Sequence, residues 1–222
     1  MKRLWIFGDS FSTPYNDKSV GGWARGYIEW KGYVPKYFGD IIGEEIELEV
    51  RGLAVGGVDN DTIFETILKH VPQIEKGDYV IIGWSSTERF RLAAKTGSFK
   101  TVIPNFIDIE GFNDISLSTI EELLVNRSSP IYKEQIYSRA LFLNWLFSDM
   151  KLIQWTPFWT KGCKLYGLDN ISIIKKETDG KIKDGHYSEE GNRQVAKNFI
   201  ELFNDDEMRD KMNSKVSIPN II

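Results

Sequence analysis

The sequence predicts a three-layer α/β/α sandwich built on a central parallel sheet. Two observations carry that expectation. Short apolar runs recur along the chain, at residues 3–7, 79–82 and 151–155, and each is closed by Gly, Ser, Thr or Pro. Between them lie segments with apolar residues at helical spacing, such as Ile63, Phe64, Ile67, Leu68 and Val71. Strands that alternate with helices argue for one parallel, three-layer α/β domain.

The elements follow in order. Residues 3 to 7 form the first strand, ended by Gly8-Asp9-Ser10. Residues 11 to 33, rich in Gly, Ser and aromatic residues, read mostly as loop, and a short helix is expected at Val34 to Ile42. Ile46 to Val50 alternates like a second strand and leads into the glycine-rich turn Gly52 to Gly57. Asp59 or Asp61 caps the next helix, and His70 sits at its end, where a cation suits the helix dipole. Tyr79 to Ile82 is a third strand, ended by Gly83-Trp84-Ser85-Ser86. Residues 93 to 149 form an excursion, irregular at first, then helical at about 117 to 125 and 131 to 149. Lys151 to Trp155 is the fourth strand and Asn170 to Ile174 a short fifth. Ser188 starts a last helix whose buried face is Val195, Ala196, Phe199, Ile200 and Phe203. The expected division is one domain over 1–204 and a loose polar tail over 205–222.

Composition excludes several function classes. Lys plus Arg number 28 and Asp plus Glu 32, a net charge of −4, so no basic stripe invites a nucleic-acid backbone. No apolar run approaches the roughly 20 residues that span a bilayer. The N-terminal apolar stretch is one strand long and runs straight into Gly8, which disfavours a cleaved signal peptide. The single Cys163 has no partner for a disulfide, which favours a reducing compartment, and the expected location is cytoplasmic. Asp9 lacks neighbours at metal-ligand spacing, and no Gly-x-Gly-x-x-Gly pattern marks a dinucleotide, so neither metal nor cofactor is expected.

The chemistry-bearing residues are few. Ser10 stands at the carboxyl end of the first strand, the edge where open α/β sheets place their sites. A serine hydroxyl needs a base, and the base an orienting carboxylate. The chain has two histidines, and His186 lies two residues after Asp184, in a glycine-containing loop just before a helix. An imidazole is the usual base for work near neutral pH. Acyl transfer also needs donors for an oxyanion. The Gly56-Gly57 backbone and the Gly83-Trp84-Ser85 turn both follow strands and share the Ser10 edge. Glu88 and Arg89 read as a structural or solvated pair.

These residues resemble the SGNH (GDSL-type) hydrolases, a family of flavodoxin-like fold. Gly8-Asp9-Ser10 matches the family's first block, and Ala54-Val55-Gly56-Gly57-Val58-Asp59-Asn60 its second. The late Asp184-Gly185-His186 matches its last block, one residue short of the common Asp-x-x-His. The third block, usually Gly-x-Asn-Asp, here reads Gly83-Trp84-Ser85-Ser86, a Trp-Ser-Ser-x-x-Arg form that resembles phage-encoded members. The match covers about residues 3 to 92 and 150 to 203. The resemblance implies Ser10 as nucleophile with His186 and Asp184 completing the triad. It implies an oxyanion hole of the Ser10 and Gly57 N–H groups, with Ser85 where the family has Asn and with Asn60 or a water available to help. Asn60, Trp84 and Trp159 are the expected substrate contacts.

The function expected is a serine esterase acting on a small acyl ester through an acyl-enzyme, with a carbohydrate O-acetyl group as first candidate. That last step rests on analogy with the family. Two other functions fit the same residues: an acyltransferase that sends the acyl group to an alcohol, and a non-catalytic carbohydrate- or protein-binding module on a decayed scaffold. The Asn-to-Ser change supports the binding module, and the joint presence of Ser10, Asp184 and His186 argues against it.

Overall fold

A computed structural model describes residues 2–103, 115–127, 130–158, 165–168, 170–177 and 184–214. The first half of the chain runs β1 (Arg3–Phe7), α1 (Gly22–Lys31), α2 (Phe38–Glu45), β2 (Glu49–Gly52), α3 (Asn60–His70), a 3-10 turn (Val71–Gln73) and β3 (Tyr79–Gly83). It continues with β4 (Phe90–Ala93), β5 (Phe99–Val102), α4 (Leu117–Arg127) and α5 (Pro130–Leu146). The last part is β6 (Lys151–Thr156), β7 (Tyr166–Gly167), α6 (Ile174–Glu177), α7 (Glu189–Asn204) and α8 (Asp206–Ser214).

Five strands form one parallel sheet in the order β2-β1-β3-β6-β7, flanked by helices. The strand alternation sorts the core onto two faces. Leu4, Ile6, Ile81 and Ile153 pack with Phe38 and Ile42 of α2 and Val195 and Phe199 of α7. Trp5, Phe7, Val80, Ile82 and Leu152 point the other way, onto Ile63 and Ile67 of α3 and Ile136, Ala140 and Leu143 of α5. The central strands β1 and β3 are therefore buried on both sides, which is why they read as continuous apolar runs.

Five expectations need correction. Residues 22–31 are helical where loop was expected: Ala24 and Tyr27, one turn apart, bury α1, while its N-cap Gly21 offers no capping side chain to mark the start. The second strand begins at Glu49 rather than Ile46, because Glu47 takes a left-handed φ of 54° after α2 and delays the extended run. The fifth strand is Tyr166–Gly167 rather than 170–174, where Ile173 makes only an isolated bridge to Tyr187. The irregular part of the excursion holds a β4–β5 antiparallel hairpin, and α8 occupies much of the expected tail. Arg209 of α8 is buried and donates to Phe203 O, and Asn144 of α5 donates to Asn213 O, so this polar helix is docked.

Candidate active site

The β1 exit is shaped by glycine. Gly8 has φ +153°, and a Cβ there would lie 2.5 Å from Ser12 Oγ and 2.9 Å from Gly83 O. Only glycine lets the chain turn this tightly against β3. The turn is then stapled through Asp9: its carbonyl accepts from Ser12 N (2.9 Å) and Thr13 Oγ1 (2.8 Å), and its Oδ1 accepts from Phe11 N (3.1 Å). These bonds fix Ser10 at the carboxyl end of the sheet, with 8% of its surface exposed.

The loop that carries Asp184 and His186 is held from several sides. Ile174 N donates to His186 O (3.1 Å), Lys175 N to Asp184 O (3.3 Å) and Ser188 N to Ser172 O (3.1 Å). Ser188 caps α7 through Gly191 N. Tyr15 Oη donates to Tyr187 O (2.8 Å) and accepts from Asn192 Nδ2 (2.7 Å). Burial pushes the Tyr15 phenol well above its ordinary value, so it stays a neutral donor.

The β1 exit and the loop that follows α6 meet at His186. Its Nε2 lies 2.7 Å from Ser10 Oγ, and its Nδ1 lies 2.6 Å from Asp184 Oδ1. The same Asp184 oxygen accepts from His186 N at 2.7 Å, which ties carboxylate and imidazole into one turn. With Nδ1–H donating to Asp184, Nε2 is left as the acceptor for the Ser10 hydroxyl. This is the arrangement that a general base needs.

The remaining two loops close around Asp9. Val55 N donates to Gly8 O (3.0 Å), which seats the β2–α3 loop beside the Ser10 turn. Gly57 there adopts a left-handed φ of 80°. Among the described residues neither the Ser10 nor the Gly57 N–H has an acceptor, as an oxyanion site requires. Ser85 does not supply the third donor expected of it. Its hydroxyl donates to Asp9 Oδ2 (3.0 Å), its N–H donates to Asn60 Oδ1 (2.8 Å), and the residue is wholly buried. Asn60 is likewise occupied, its Nδ2 donating to Ser85 O (2.9 Å) and Ser86 O (3.3 Å). It clamps the β3 exit, and the amide expected to contact substrate is engaged there on both its oxygen and its nitrogen.

Trp84 is also placed differently from expectation. It is fully buried in the α3/α5 core, and its indole N–H donates to Gln154 Oε1 (3.0 Å). Trp159 and Cys163 lie outside the described residues. Arg89, read from sequence as half of a structural or solvated pair with Glu88, pairs with Asp9 beside Ser10. Its Nη1 donates to Asp9 Oδ2 (2.9 Å) and reaches Val58 O (3.5 Å), and its guanidinium lies over the Phe158 ring. One cation thus touches the residue before Ser10 and the residue after Gly57.

His70 Nδ1 lies 2.8 Å from Thr66 O, one turn back in α3, away from this chemistry. Among the described residues no group of three His, Cys, Asp or Glu is placed to hold a metal, and no helix is long and apolar enough to cross a membrane. Comparison with protein-family models finds no match, and comparison with curated proteins finds no significant one.

Proposed function

We propose that the protein is a serine esterase of the SGNH type that cleaves a small acyl ester through an acyl-enzyme. The observation that carries the reading is the continuous relay from Ser10 Oγ to His186 Nε2 and from His186 Nδ1 to Asp184, at 2.7 Å and 2.6 Å. In this mechanism Ser10 Oγ attacks the ester carbonyl as its proton passes to Nε2. The imidazolium so formed keeps its Nδ1–H bond to Asp184. The carbonyl oxygen, now anionic, takes the unpaired N–H groups of Ser10 and Gly57. Collapse expels the alcohol, which collects the proton from Nε2 as it leaves. Water then repeats the sequence on the acyl-enzyme, and Ser10 is restored.

The small acyl group is proposed by analogy with the family that the sequence resembles. The cavity bounded by Ser10, Phe11, Tyr15, Trp23, His186 and Asn192 is about 10 Å³, room for about one water. For the alcohol side we favour a sugar, because the ring of Phe158 is 36% exposed beside Phe11 and Arg89 and offers a stacking face at the rim.

The test is turnover of p-nitrophenyl acetate and labelling by a fluorophosphonate, each beside Ser10→Ala. The expected result is turnover and labelling that the substitution abolishes. Equal behaviour of the two proteins overturns the enzyme reading.

A further inference from the structure

We propose that α1 is the element that holds the base of this site in place, with Trp23 as a positioning residue that also supports the charged form of His186. The proposal rests on the esterase reading above. The indole of Trp23 stacks on the imidazole at 4.0 Å between centroids and 6° between planes. Phe11 stacks on it as well, at 4.5 Å and 23°. Two rings cannot share one face at those distances, so they cover opposite faces. With Ser10 and Asp184 on the two nitrogen atoms, the imidazole is fixed on four sides.

The helix is built to deliver that indole. Trp23, Tyr27 and Lys31 are spaced i, i+4, i+8 and form one stripe along α1. Tyr27 Oη donates to Glu177 Oε2 (2.7 Å) and accepts from Glu189 N (2.9 Å). Lys31 pairs with Glu177 and, at 3.5 Å, with Glu189. Tyr33, just past the helix, donates to Glu189 Oε2 (2.6 Å). Glu177 ends α6 and Glu189 begins α7, so these bonds grip the polypeptide before and after the His186 loop. The remaining member of the stripe, Trp23, then comes down on the ring between them.

The chemistry gives this contact a use. Proton transfer from Ser10 turns the imidazole into a cation, and the face of an indole attracts a cation. The stack also denies the ring any rotation that would break its bond to Ser10. Both effects favour the acylation transition state over the free enzyme, so their loss falls on kcat.

The experiment compares wild type, Trp23→Leu and Trp23→Phe on an acetyl ester, and follows the histidine ring protons by NMR. Trp23→Leu is expected to lower kcat about 3- to 30-fold with a smaller change in KM. Trp23→Phe, which keeps a π face, is expected to stay within about threefold of wild type. The chain has two histidines, so the His186 signals are identified by their loss in His186→Ala. They are expected upfield in the wild type, and shifted downfield in Trp23→Leu. Should Trp23→Leu not fold, Trp23→Met keeps the bulk without the ring and is read in the same way. An unchanged kcat in the ring-less variant, a loss that Trp23→Phe does not recover, or unmoved His186 signals each overturn the proposal. Wild-type protein without Ser10-dependent turnover overturns the esterase reading itself, and the catalytic role of Trp23 falls with it.

Discussion

The hydroxyl of Ser85 donates to Asp9 Oδ2 at 3.0 Å, on the same oxygen that receives Arg89 Nη1 at 2.9 Å. A hydroxyl has a single proton, and here it is directed at a buried carboxylate rather than at the space before Ser10. The carboxylate in turn orders the turn that presents Ser10. Ser85 and Arg89 therefore act on the Ser10 turn through Asp9.

Ser85→Ala should accordingly behave as a structural change. Removing a true oxyanion donor lowers kcat by about 10²- to 10³-fold. Ser85→Ala is expected to lower it by less than about tenfold, because the donors facing the oxyanion remain. Arg89→Ala should be the more damaging substitution, with kcat down by about 10²-fold, because it frees both the Ser10 turn and the Gly57 loop to drift. Steady-state kinetics on a single acetyl ester decides this. A larger loss in Ser85→Ala than in Arg89→Ala would return the oxyanion role to the serine.

Ser10→Ala and His186→Ala should lose similar activity. Nucleophile and base work on one proton, so removing either leaves the other without a task. Each is expected to lower kcat by at least about 10⁴-fold. Rates that differ by more than about tenfold between the two variants point to another base.

Gly8→Ala places a methyl group against Ser12 and the Gly83 carbonyl, and does so at a φ that L-residues rarely adopt. The strain amounts to about 2 kcal/mol. In a chain of this size that is a fall of about 4–8 °C in Tm, measurable by scanning calorimetry. Activity should fall as well, since the Ser10 turn starts at this residue.

Asp78 should set part of the acid stability. It accepts from Arg3 N (3.0 Å), Trp5 Nε1 (2.8 Å) and Glu75 N (3.0 Å). Burial alone would raise its carboxyl, but these bonds and the Arg3 charge outweigh burial and hold it below the usual aspartate range. A depressed native pKa means that the contribution is complete above the unfolded value, about 4, and is lost as pH falls toward the native one. Asp78→Asn is expected to destabilise the protein by about 2 kcal/mol at pH 7. It should also flatten the loss of stability between about pH 4 and 2 in urea titrations. An unchanged slope would assign acid sensitivity elsewhere.

What could be read from the amino acids alone divides along physical lines. Ser10, Asp184 and His186 were legible because each sits at a local landmark, a strand exit or a helix start, that fixes its position without knowledge of distant partners. Arg89 was not, because its partner Asp9 lies 80 residues away and nothing local marks the pair. Trp84 was misplaced because a strand buried on both faces carries no polarity cue to tell a core indole from one at the site. α1 escaped notice because Gly22 and Gly26 dilute its pattern, and its tie to Glu177 and Glu189 is tertiary. β1, β3 and β6 are legible as short, mostly apolar runs, though not their order in the sheet, whereas β7, two residues long, leaves almost no trace.

Ser10 Oγ and His186 Nε2 meet although they are 176 residues apart along the backbone. In the proposed mechanism a nascent chain whose 184–188 loop is not yet made carries a serine without its base, and a fluorophosphonate label would count only molecules in which that loop has folded back onto β1.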